Sequence, residues 1–232
     1  MAVALLLLAG FYTPAHAAAV LACVLAPWLF GARAAWAVAG LALLYVFPPL
    51  AARVVLALWG PTPRSATLGS GGFLRWWLLG QLQMVFNRLP QLEELLRLVP
   101  GLYSAWLRLW GSRVGRLVFW SPGVVVTDRQ LVDVGDRAVI GMGVRIAPHI
   151  VDRDADGTAR LVAAVVVIGA GAMVGGLTVF GPGARMAPGE TSHRTLVLPP
   201  FHTWERGRRR PPAAGEAEAL AAAGDAGATV AG

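Results

Sequence analysis

His149 is the residue whose type and position in this sequence best suit proton transfer. It follows Pro148 at the point where a regular repeat of the chain is interrupted. A hydroxyl or amine acceptor is a weak nucleophile near neutral pH until a base takes its proton, and imidazole is well matched to that task. We therefore predict that His149 is a general base. The alternative is a surface histidine at a loop edge that makes one backbone hydrogen bond.

Two further kinds of group would complete such a site. An acid beside the imidazole would keep one ring nitrogen protonated, and Asp152 is preferred to Asp154 for that role. Backbone N–H groups of glycine could hold a developing oxyanion, because glycine allows close approach. The candidates for the oxyanion or the acyl donor are Gly141, Gly143, Gly169 and Gly175. His193 is the second candidate base and His202 the third, whereas a packing role is favoured for His16 in its apolar segment.

The sequence offers little for a metal ion. Residues 152–157 begin like a calcium loop, but the twelfth position is Ala163, where such loops carry a bidentate glutamate, so a hairpin turn at 155–157 is favoured. The single cysteine, Cys23, excludes a disulfide within one chain and a cysteine-ligated zinc site. A zinc hydrolyase would need His149, His193 and His202 to converge, which their spacing does not suggest. We expect no metal and no tightly bound cofactor.

A six-residue repeat organises the second half of the chain. Large apolar residues recur six positions apart in two blocks, and each is followed by Gly or Ala. They are Val134, Ile140 and Ile146, then Ile168, Val174, Phe180 and Met186. Each unit fits one flat face of a coil whose leading side chain points inward. The pattern predicts a hexapeptide β-helix, since a Gly-rich β-meander would show a period of two.

The repeat has one offset and one interruption. A two-residue offset separates the block that begins at Val134 from an earlier block that starts near Ser112. The members of the earlier block are Val114, Trp120 and Val126. The gap between Ile146 and Ile168 is not a multiple of six, so the residues between His149 and Ala164 are predicted to leave the coil as an inserted loop.

The first 60 residues are predicted to form two membrane-spanning helices. Residues 1–32 carry no charged side chain, and a second uncharged run follows Arg33 and extends to residue 52. A helix of about 20 residues crosses the bilayer core, and the predicted spans are 4–30 and 34–59. Arg33 stands alone in the connecting turn, whereas Arg53, Arg64 and Arg75 follow the second span. This asymmetry predicts a cell-membrane protein whose remaining domain faces the cytoplasm.

Three alternatives remain open for this apolar region. The tripeptide at 15–17 resembles a signal-peptidase site, although the segment lacks a positively charged start. Pro48, Pro49 and Arg53 could make the second span re-entrant. The two helices could also dock on protein instead of lipid.

The net charge of +7 comes wholly from arginine, since the chain has no lysine. A basic chain beside a bilayer attracts anionic lipids, and it would also attract an acidic carrier protein or a phosphorylated cofactor. The arginines are dispersed except at 206–210, which gives little support to nucleic-acid binding.

The remaining segments flank the repeat. Residues 61–111 are predicted to be a linker followed by amphipathic helices, whose aromatic side chains either lie at the bilayer interface or cover the open end of the coil. Residues 208–232 contain almost no large apolar side chain and are predicted to be a disordered tail.

Residues 113–207 resemble the hexapeptide-repeat acyltransferases of the left-handed β-helix class. The match rests on the repeat, on Thr127-Asp128 before Val134, on His149 followed by an acid and Arg153, and on the Trp204 to Gly207 ending. More narrowly, the chain resembles the membrane-linked members that form the C-terminal part of poly-amino-acid synthetases. The resemblance implies a homotrimer with active sites between neighbouring coils, in which a histidine activates an acceptor that attacks an acyl thioester of coenzyme A or a carrier protein.

The sequence thus predicts an α+β protein, with an N-terminal transmembrane helical hairpin and amphipathic helices followed by a left-handed parallel β-helix. The predicted boundaries are 1–60, 61–111, 112–207 and 208–232. The predicted function is a membrane-anchored acyltransferase that moves an acyl or aminoacyl group from a thioester to a hydroxyl or amine. The alternative is a non-catalytic membrane-anchored β-helix trimer that acts as a scaffold.

Overall fold

The computed structural model describes residues 6–7, 9–153 and 157–212, and in this part the protein has an α-helical region followed by a region of short strands. The α+β class is as expected. The helices are α1 (Tyr12–Phe30), α2 (Arg33–Tyr45), α3 (Phe47–Trp59), α4 (Gly71–Arg88), α5 (Gln91–Arg97) and α6 (Leu102–Trp110).

Helices α1 to α3 form the apolar N-terminal part. Helix α1 has 19 residues and is long and apolar enough to cross a membrane, with only 11% of its most apolar window buried. Helices α2 and α3 meet this test only as a pair bent by 40°. Pro48 lies in the first turn of α3, where a proline ring prevents the preceding helix from continuing straight. The second predicted span is therefore a broken helix, and the transmembrane hairpin stays a prediction.

The strands are short and begin directly after α6, apart from β1 (Ser65–Thr67). The first coil strands are β2 (Arg113–Val114), β3 (Phe119–Trp120), β4 (Val125–Val126), β5 (Val132–Val134), β6 (Val139–Ile140) and β7 (Arg145–Ile146). Two longer strands follow, β8 (His149–Arg153) and β9 (Ala159–Ala163). The later strands are β10 (Val166–Ile168), β11 (Met173–Val174), β12 (Val179–Phe180), β13 (Arg185–Met186), β14 (Val197–Leu198), β15 (Thr203–Glu205) and β16 (Arg208–Arg210).

The coil strands visit three parallel sheets in rotation. The first sheet contains β2, β5, β10, β13 and β15, the second β3, β6 and β11, and the third β4, β7, β12 and β14. Thr191 continues the second sheet through a bridge to Met173. A chain that turns through three faces in this order is a parallel β-helix, as the repeat predicts. Its left-handed sense stays a prediction.

The strand register explains the spacing of the repeat. Ile168 pairs with Met186, which pairs with Trp204, so one turn takes 18 residues, or three six-residue units. In the first turn Val114 pairs with Val134, a separation of 20. A short 3₁₀ turn at Arg129–Leu131 precedes β5 and takes up the two extra residues. This turn is the structural origin of the predicted offset.

The interior of the coil is filled by the leading residues of the repeat. All seven of those predicted from Val134 to Met186 are at most 3% exposed. The glycines that follow four of them are required by the stacking of the turns, because a Cβ there would lie 2.3 to 2.5 Å from backbone atoms of the next turn. They are Gly135, Gly141, Gly169 and Gly175.

The predicted insertion leaves the coil as an antiparallel hairpin. Strands β8 and β9 pair along five residues, and β1 adds to the outer side of β9. His149 lies opposite Ala163 at the base of the hairpin. Asp154 and most of the predicted 155–157 turn lie outside the described residues.

Helices α4 to α6 cover the end of the coil where β2 begins. Trp106 and Trp110 of α6 are 3% and 0% exposed, and they belong to a core that continues into the coil interior. These aromatic side chains therefore pack on protein. This arrangement is the one of the two sequence expectations in which the aromatic side chains cover the open end of the coil. Trp77 of α4 is only partly buried.

The ordered chain continues past the predicted start of the tail at residue 208. Strand β16 pairs antiparallel with β15. Glu190 accepts hydrogen bonds from the N–H groups of Arg206 and Gly207 and so holds the reversal of the chain between the two strands. Residues 208–210 are therefore a strand and not part of a disordered tail, and residues 213–232 lie outside the described residues.

Candidate active site

His149 is the first residue of β8 and lies where the chain leaves the third sheet of the coil. Its side chain is 28% exposed. The imidazole packs edge-on against Trp76 of α4, with ring centroids 4.8 Å apart. The candidate base thus lies at the boundary between the helical part and the coil.

Asp128 holds the imidazole. Its Oδ2 contacts His149 Nδ1 and also accepts a hydrogen bond of 2.9 Å from Thr127 Oγ1. Its Oδ1 accepts a hydrogen bond of 3.1 Å from Trp76 Nε1. The carboxylate is only 2% exposed, yet both of its oxygens have partners, so the desolvation of its charge is offset by hydrogen bonds.

This contact selects one tautomer of His149. A carboxylate only accepts hydrogen bonds, so Nδ1 must carry the proton and donate it to Asp128. The lone pair of the neutral ring then resides on Nε2, which has no hydrogen-bond partner among the described residues. An imidazole that is oriented by a buried acid in this way has the chemical capacity to accept a proton at its second nitrogen.

A buried ionic network fixes the turn that follows Asp128. The N–H of Arg129 donates to Gln83 Oε1 over 2.7 Å, and the guanidinium of Arg129 pairs with Glu93. Tyr103 donates to the same carboxylate over 2.6 Å. Burial, followed by the charge of Glu93, raises the pKa of the Tyr103 hydroxyl well above its ordinary value, which keeps it protonated as a donor. Side chains of the helical part thereby hold the backbone next to the candidate site.

Asp152, the acid predicted to orient His149, lies elsewhere. It is exposed on β8, and its Oδ1 accepts a hydrogen bond from the N–H of Arg153. Side chains three positions apart on a strand point to opposite faces, so Asp152 is not directed toward the same side as His149. Asp128 occupies the position that the sequence prediction gave to Asp152.

The four glycine amides predicted to bind an oxyanion are already engaged within the coil. Gly141 and Gly169 donate to carbonyl groups of the next turn, those of Val174 and Met186, over 3.0 and 2.8 Å. The amide of Gly143 donates to Pro122 over 3.1 Å. Gly175 donates to Ser192 Oγ over 2.9 Å. We therefore do not assign the oxyanion to these groups.

The other histidines lie apart from His149. His193 is exposed and packs against Trp204, near the corner of the coil formed by Gly175. His202 contacts the carbonyl group of Pro200. His16 is buried among the N-terminal helices and contacts the carbonyl group of Leu43. Among the described residues, no group of three metal-ligating side chains could hold an ion.

A groove of about 560 Å³ lies on the first sheet beside the base of the hairpin. Ala163, the register partner of His149, forms part of its lining. Three arginines and one acid contribute charge, and Arg113 pairs with the acid, Asp133, over 2.9 Å. The guanidinium of Arg64 stacks over Phe201 at 5.0 Å. The remaining charged residue of the lining is Arg185. The groove is therefore net cationic.

Sequence reasoning did not identify Asp128 or Trp76 as parts of the site. The signal for Asp128 was present, because it precedes His149 by 21 residues, close to the 20-residue separation of paired strands in the first turn. Trp76 comes from a helix outside the repeat, and no spacing rule connects it to His149.

Comparison with protein-family models and with curated proteins gives no match. Among solved structures, the chain is similar to a hexapeptide-repeat acetyltransferase of Vibrio cholerae O1 biovar eltor complexed with acetyl coenzyme A, at 14% identity over 57% of this chain and 88% of the other, with a TM-score of 0.39. A second structure of this acetyltransferase from Vibrio cholerae gives 15% identity, coverages of 56% and 91%, and a TM-score of 0.36. A maltose O-acetyltransferase from Clostridium difficile 630 gives 14% identity, coverages of 53% and 83%, and a TM-score of 0.34. At these values the likeness carries no argument, so the fold rests on the strand topology and the function on the residues of the site.

Proposed function

We propose that the protein is an acyltransferase that moves an acyl or aminoacyl group from a thioester to a hydroxyl or amine. The observation that carries the proposal is the buried Asp128 against Nδ1 of His149, which leaves Nε2 of the imidazole uncommitted. Asp128 replaces Asp152 as the orienting acid in this proposal.

The transfer needs one base and no resident cofactor. Nε2 of His149 takes the proton from the acceptor O–H or N–H while the acceptor atom bonds to the thioester carbonyl carbon. The carbon–sulfur bond then breaks, and the imidazolium returns the proton to the thiolate, which leaves as a free thiol. Asp128 stabilises the imidazolium between these two steps, because its carboxylate lies against the protonated Nδ1.

The cationic groove supports an anionic thioester donor. Arg64, Arg113 and Arg185 contribute three positive charges beside the hairpin that carries His149, and Asp133, the partner of Arg113, contributes one negative charge. Arginine binds phosphate through paired N–H groups. We propose coenzyme A or the phosphorylated arm of a carrier protein as the donor, with its phosphate groups in this groove.

The apolar helices and the outer surface of the coil support the assembly that we propose. Helix α1 is apolar enough to span a membrane, and we propose that it anchors the protein with the coil on the cytoplasmic side. Large apolar side chains are also exposed on the coil, by 65% for Met142, 52% for Met173 and 58% for Leu177. Apolar patches of this kind favour subunit contacts, and we propose a homotrimer.

Replacement of His149 by Ala tests the proposed function. The variant should keep its expression and oligomer size but lose transfer by about 10² to 10⁴-fold, because the proton of the acceptor then has no base. The measurement is thiol release from an acyl thioester, followed with a thiol-reactive dye and corrected for hydrolysis. His193→Ala is the matched control, since His193 is exposed and lies at another corner of the coil.

Two results would count against the proposal. Full activity of His149→Ala would remove this residue from the mechanism. No protein-dependent thiol release by the wild-type protein with coenzyme A or carrier-protein thioesters would favour the scaffold alternative.

A further inference from the structure

Two aromatic side chains, Trp76 and Trp77, connect the candidate base His149 to the N-terminal apolar segment. The His149 ring is 4.8 Å from that of Trp76, and Trp76 is 6.4 Å from Trp77, measured between centroids. Trp77 Nε1 donates a hydrogen bond of 3.1 Å to the carbonyl group of Leu6. We call this row of contacts, from His149 through Trp76 and Trp77 to Leu6, the aromatic bridge.

The surroundings of the aromatic bridge are apolar. Trp76 belongs to a buried cluster of apolar side chains, and Leu6 and Trp77 pack against that cluster. Its members are Ala66, Phe73, Trp76, Leu131, Leu161 and Ala163. Exposed apolar side chains continue on either side, with Leu7 exposed by 64% and Val151 by 51%. Val151 is two positions after His149 on β8 and so projects from the same face of the strand.

The polar side chains that contact His149 and Asp128 are committed to one another. Trp76 Nε1 and Thr127 Oγ1 both donate to Asp128, and His149 Nδ1 is held by the same carboxylate. A site that selects a polar acceptor needs side chains free to hydrogen-bond it, because such bonds provide the discrimination. The described contacts around His149 instead offer apolar surface.

The helices place this surface at the proposed bilayer boundary. Leu6, on the N-terminal side of α1, contacts Trp77, and Arg53 in the middle of α3 approaches Gly111, which caps the end of α6 just before the coil. The connection between α1 and α2 is at the opposite end of both helices, where Trp28 is 84% exposed. If α1 spans the bilayer, the aromatic bridge lies where the membrane meets the cytoplasm, a depth that tryptophan favours.

We infer that the acceptor is a membrane-borne amphiphile that presents a hydroxyl or amine to His149 while its hydrocarbon chain lies on the accessible apolar surface beside the aromatic bridge, which Trp77, Leu7 and Val151 form. The inference rests on the proposed acyl transfer and adds the class of acceptor. Nε2 takes the proton from the head group of the amphiphile, and the acyl group then remains attached to a molecule in the bilayer.

The test uses the full-length protein in lipid nanodiscs with primary amines of two, six and twelve carbons as acceptors. The longer amines partition into the bilayer, so their concentrations are expressed per lipid. An increase in transfer efficiency then reports a preference of the site for longer chains and not the accumulation of these amines in the membrane. Transfer efficiency should rise by about tenfold or more from the two-carbon to the twelve-carbon amine. In Trp77→Gln the ratio of the efficiency with the twelve-carbon amine to that with the two-carbon amine should fall toward one. The reason is that this variant lacks the apolar indole that the hydrocarbon chain of the acceptor would contact.

Trp28→Gln is the matched control, because it removes an equally large exposed tryptophan at the far end of α1 and should leave the ratio unchanged. If Trp77→Gln fails to fold, Leu7→Gln tests the same surface at a side chain that is 64% exposed. A ratio near one for the wild-type protein, or an equal ratio in wild type and the bridge variants, overturns the inference. Activity that depends on His149 but not on chain length defeats this inference alone, whereas activity that survives His149→Ala defeats the proposed function.

Discussion

In the proposed mechanism His149 accepts a proton at Nε2, which requires the ring proton to be on Nδ1, the nitrogen that contacts the carboxylate of Asp128. The carboxylate is itself fixed by Trp76 Nε1 and Thr127 Oγ1, so its two oxygens cannot rotate freely. The orientation of the imidazole is therefore determined by three side chains, of which one belongs to a helix and two to the coil.

Replacement of Asp128 by Asn should lower the rate of transfer by about 10² to 10⁴-fold while the substrate KM changes little. An amide can donate to Nδ1, which would move the ring proton to Nε2 and abolish its capacity to accept. The measurement is the rate of thiol release at saturating acceptor, with circular dichroism to check the fold. Asp152→Asn is the comparison, and the assignment fails if that variant loses activity while Asp128→Asn keeps it.

The sequence singles out His149 as a candidate base, which stays a prediction, but it did not identify the acid that contacts this histidine in the structure. Asp152 was preferred because it is close in sequence, whereas in a coil the neighbours in space lie about one turn away. The 21-residue separation between Asp128 and His149 follows from that geometry and could have been used. Trp76 could not be predicted, because the docking of α4 on the coil depends on packing that no local pattern records.

At the scale of elements, the repeat made the coil predictable because each six-residue unit specifies one face. The leading side chains are buried and the following glycines meet the next turn at distances that exclude a Cβ. The bend between α2 and α3 was less certain from sequence, since Pro48 and Pro49 fit either a kinked span or a re-entrant one. Strand β16 was missed because its three arginines carry no apolar face.

The network around Glu93 predicts a specific loss of stability at alkaline pH. Burial raises the pKa of Tyr103, so above a pH of about 10 the unfolded chain loses the tyrosine proton that the folded chain keeps. The free energy of unfolding should therefore fall, by up to about 1.4 kcal/mol per pH unit from this group. Denaturant unfolding between neutral pH and pH values above 10 measures the slope.

Tyr103→Phe supplies the control for that experiment. The variant should be less stable at neutral pH by about 1 to 3 kcal/mol, since Glu93 loses a buried donor. Its stability should fall less steeply than that of the wild-type protein as the pH rises. Equal slopes in the two proteins would show that Tyr103 is not the group responsible.

At the scale of the whole molecule, the helical part has two tasks. Its aromatic side chains cover the open end of the coil, and its apolar helices α1 to α3 present exposed side chains such as Trp28 and Phe30. Helix α4 contacts both the N-terminal apolar segment and the candidate site, so these two parts of the molecule are connected through one helix.

The proposed orientation of the protein in the membrane can be tested by labelling single cysteines. The chain has one native cysteine, Cys23, which one substitution removes. In a Cys23→Ala background, Arg209→Cys should react with an impermeant maleimide only after cell lysis, whereas Phe30→Cys should react in intact cells. The reason is that β16 belongs to the coil, whereas Phe30 ends α1 and in the proposed topology lies on the opposite side of the membrane. Labelling of Arg209→Cys in intact cells would reverse the proposed topology.

A double-mutant cycle of His149→Ala and Asp128→Asn tests most directly whether the two residues act as one unit. The measurement is the rate of acyl transfer from a thioester by the wild-type protein, the two single variants and the double variant. If Asp128 acts only through His149, the double variant should be no slower than His149→Ala, because residues that act together give strongly non-additive losses. Losses that multiply, or a His149→Ala variant as fast as the wild-type protein, would contradict the account.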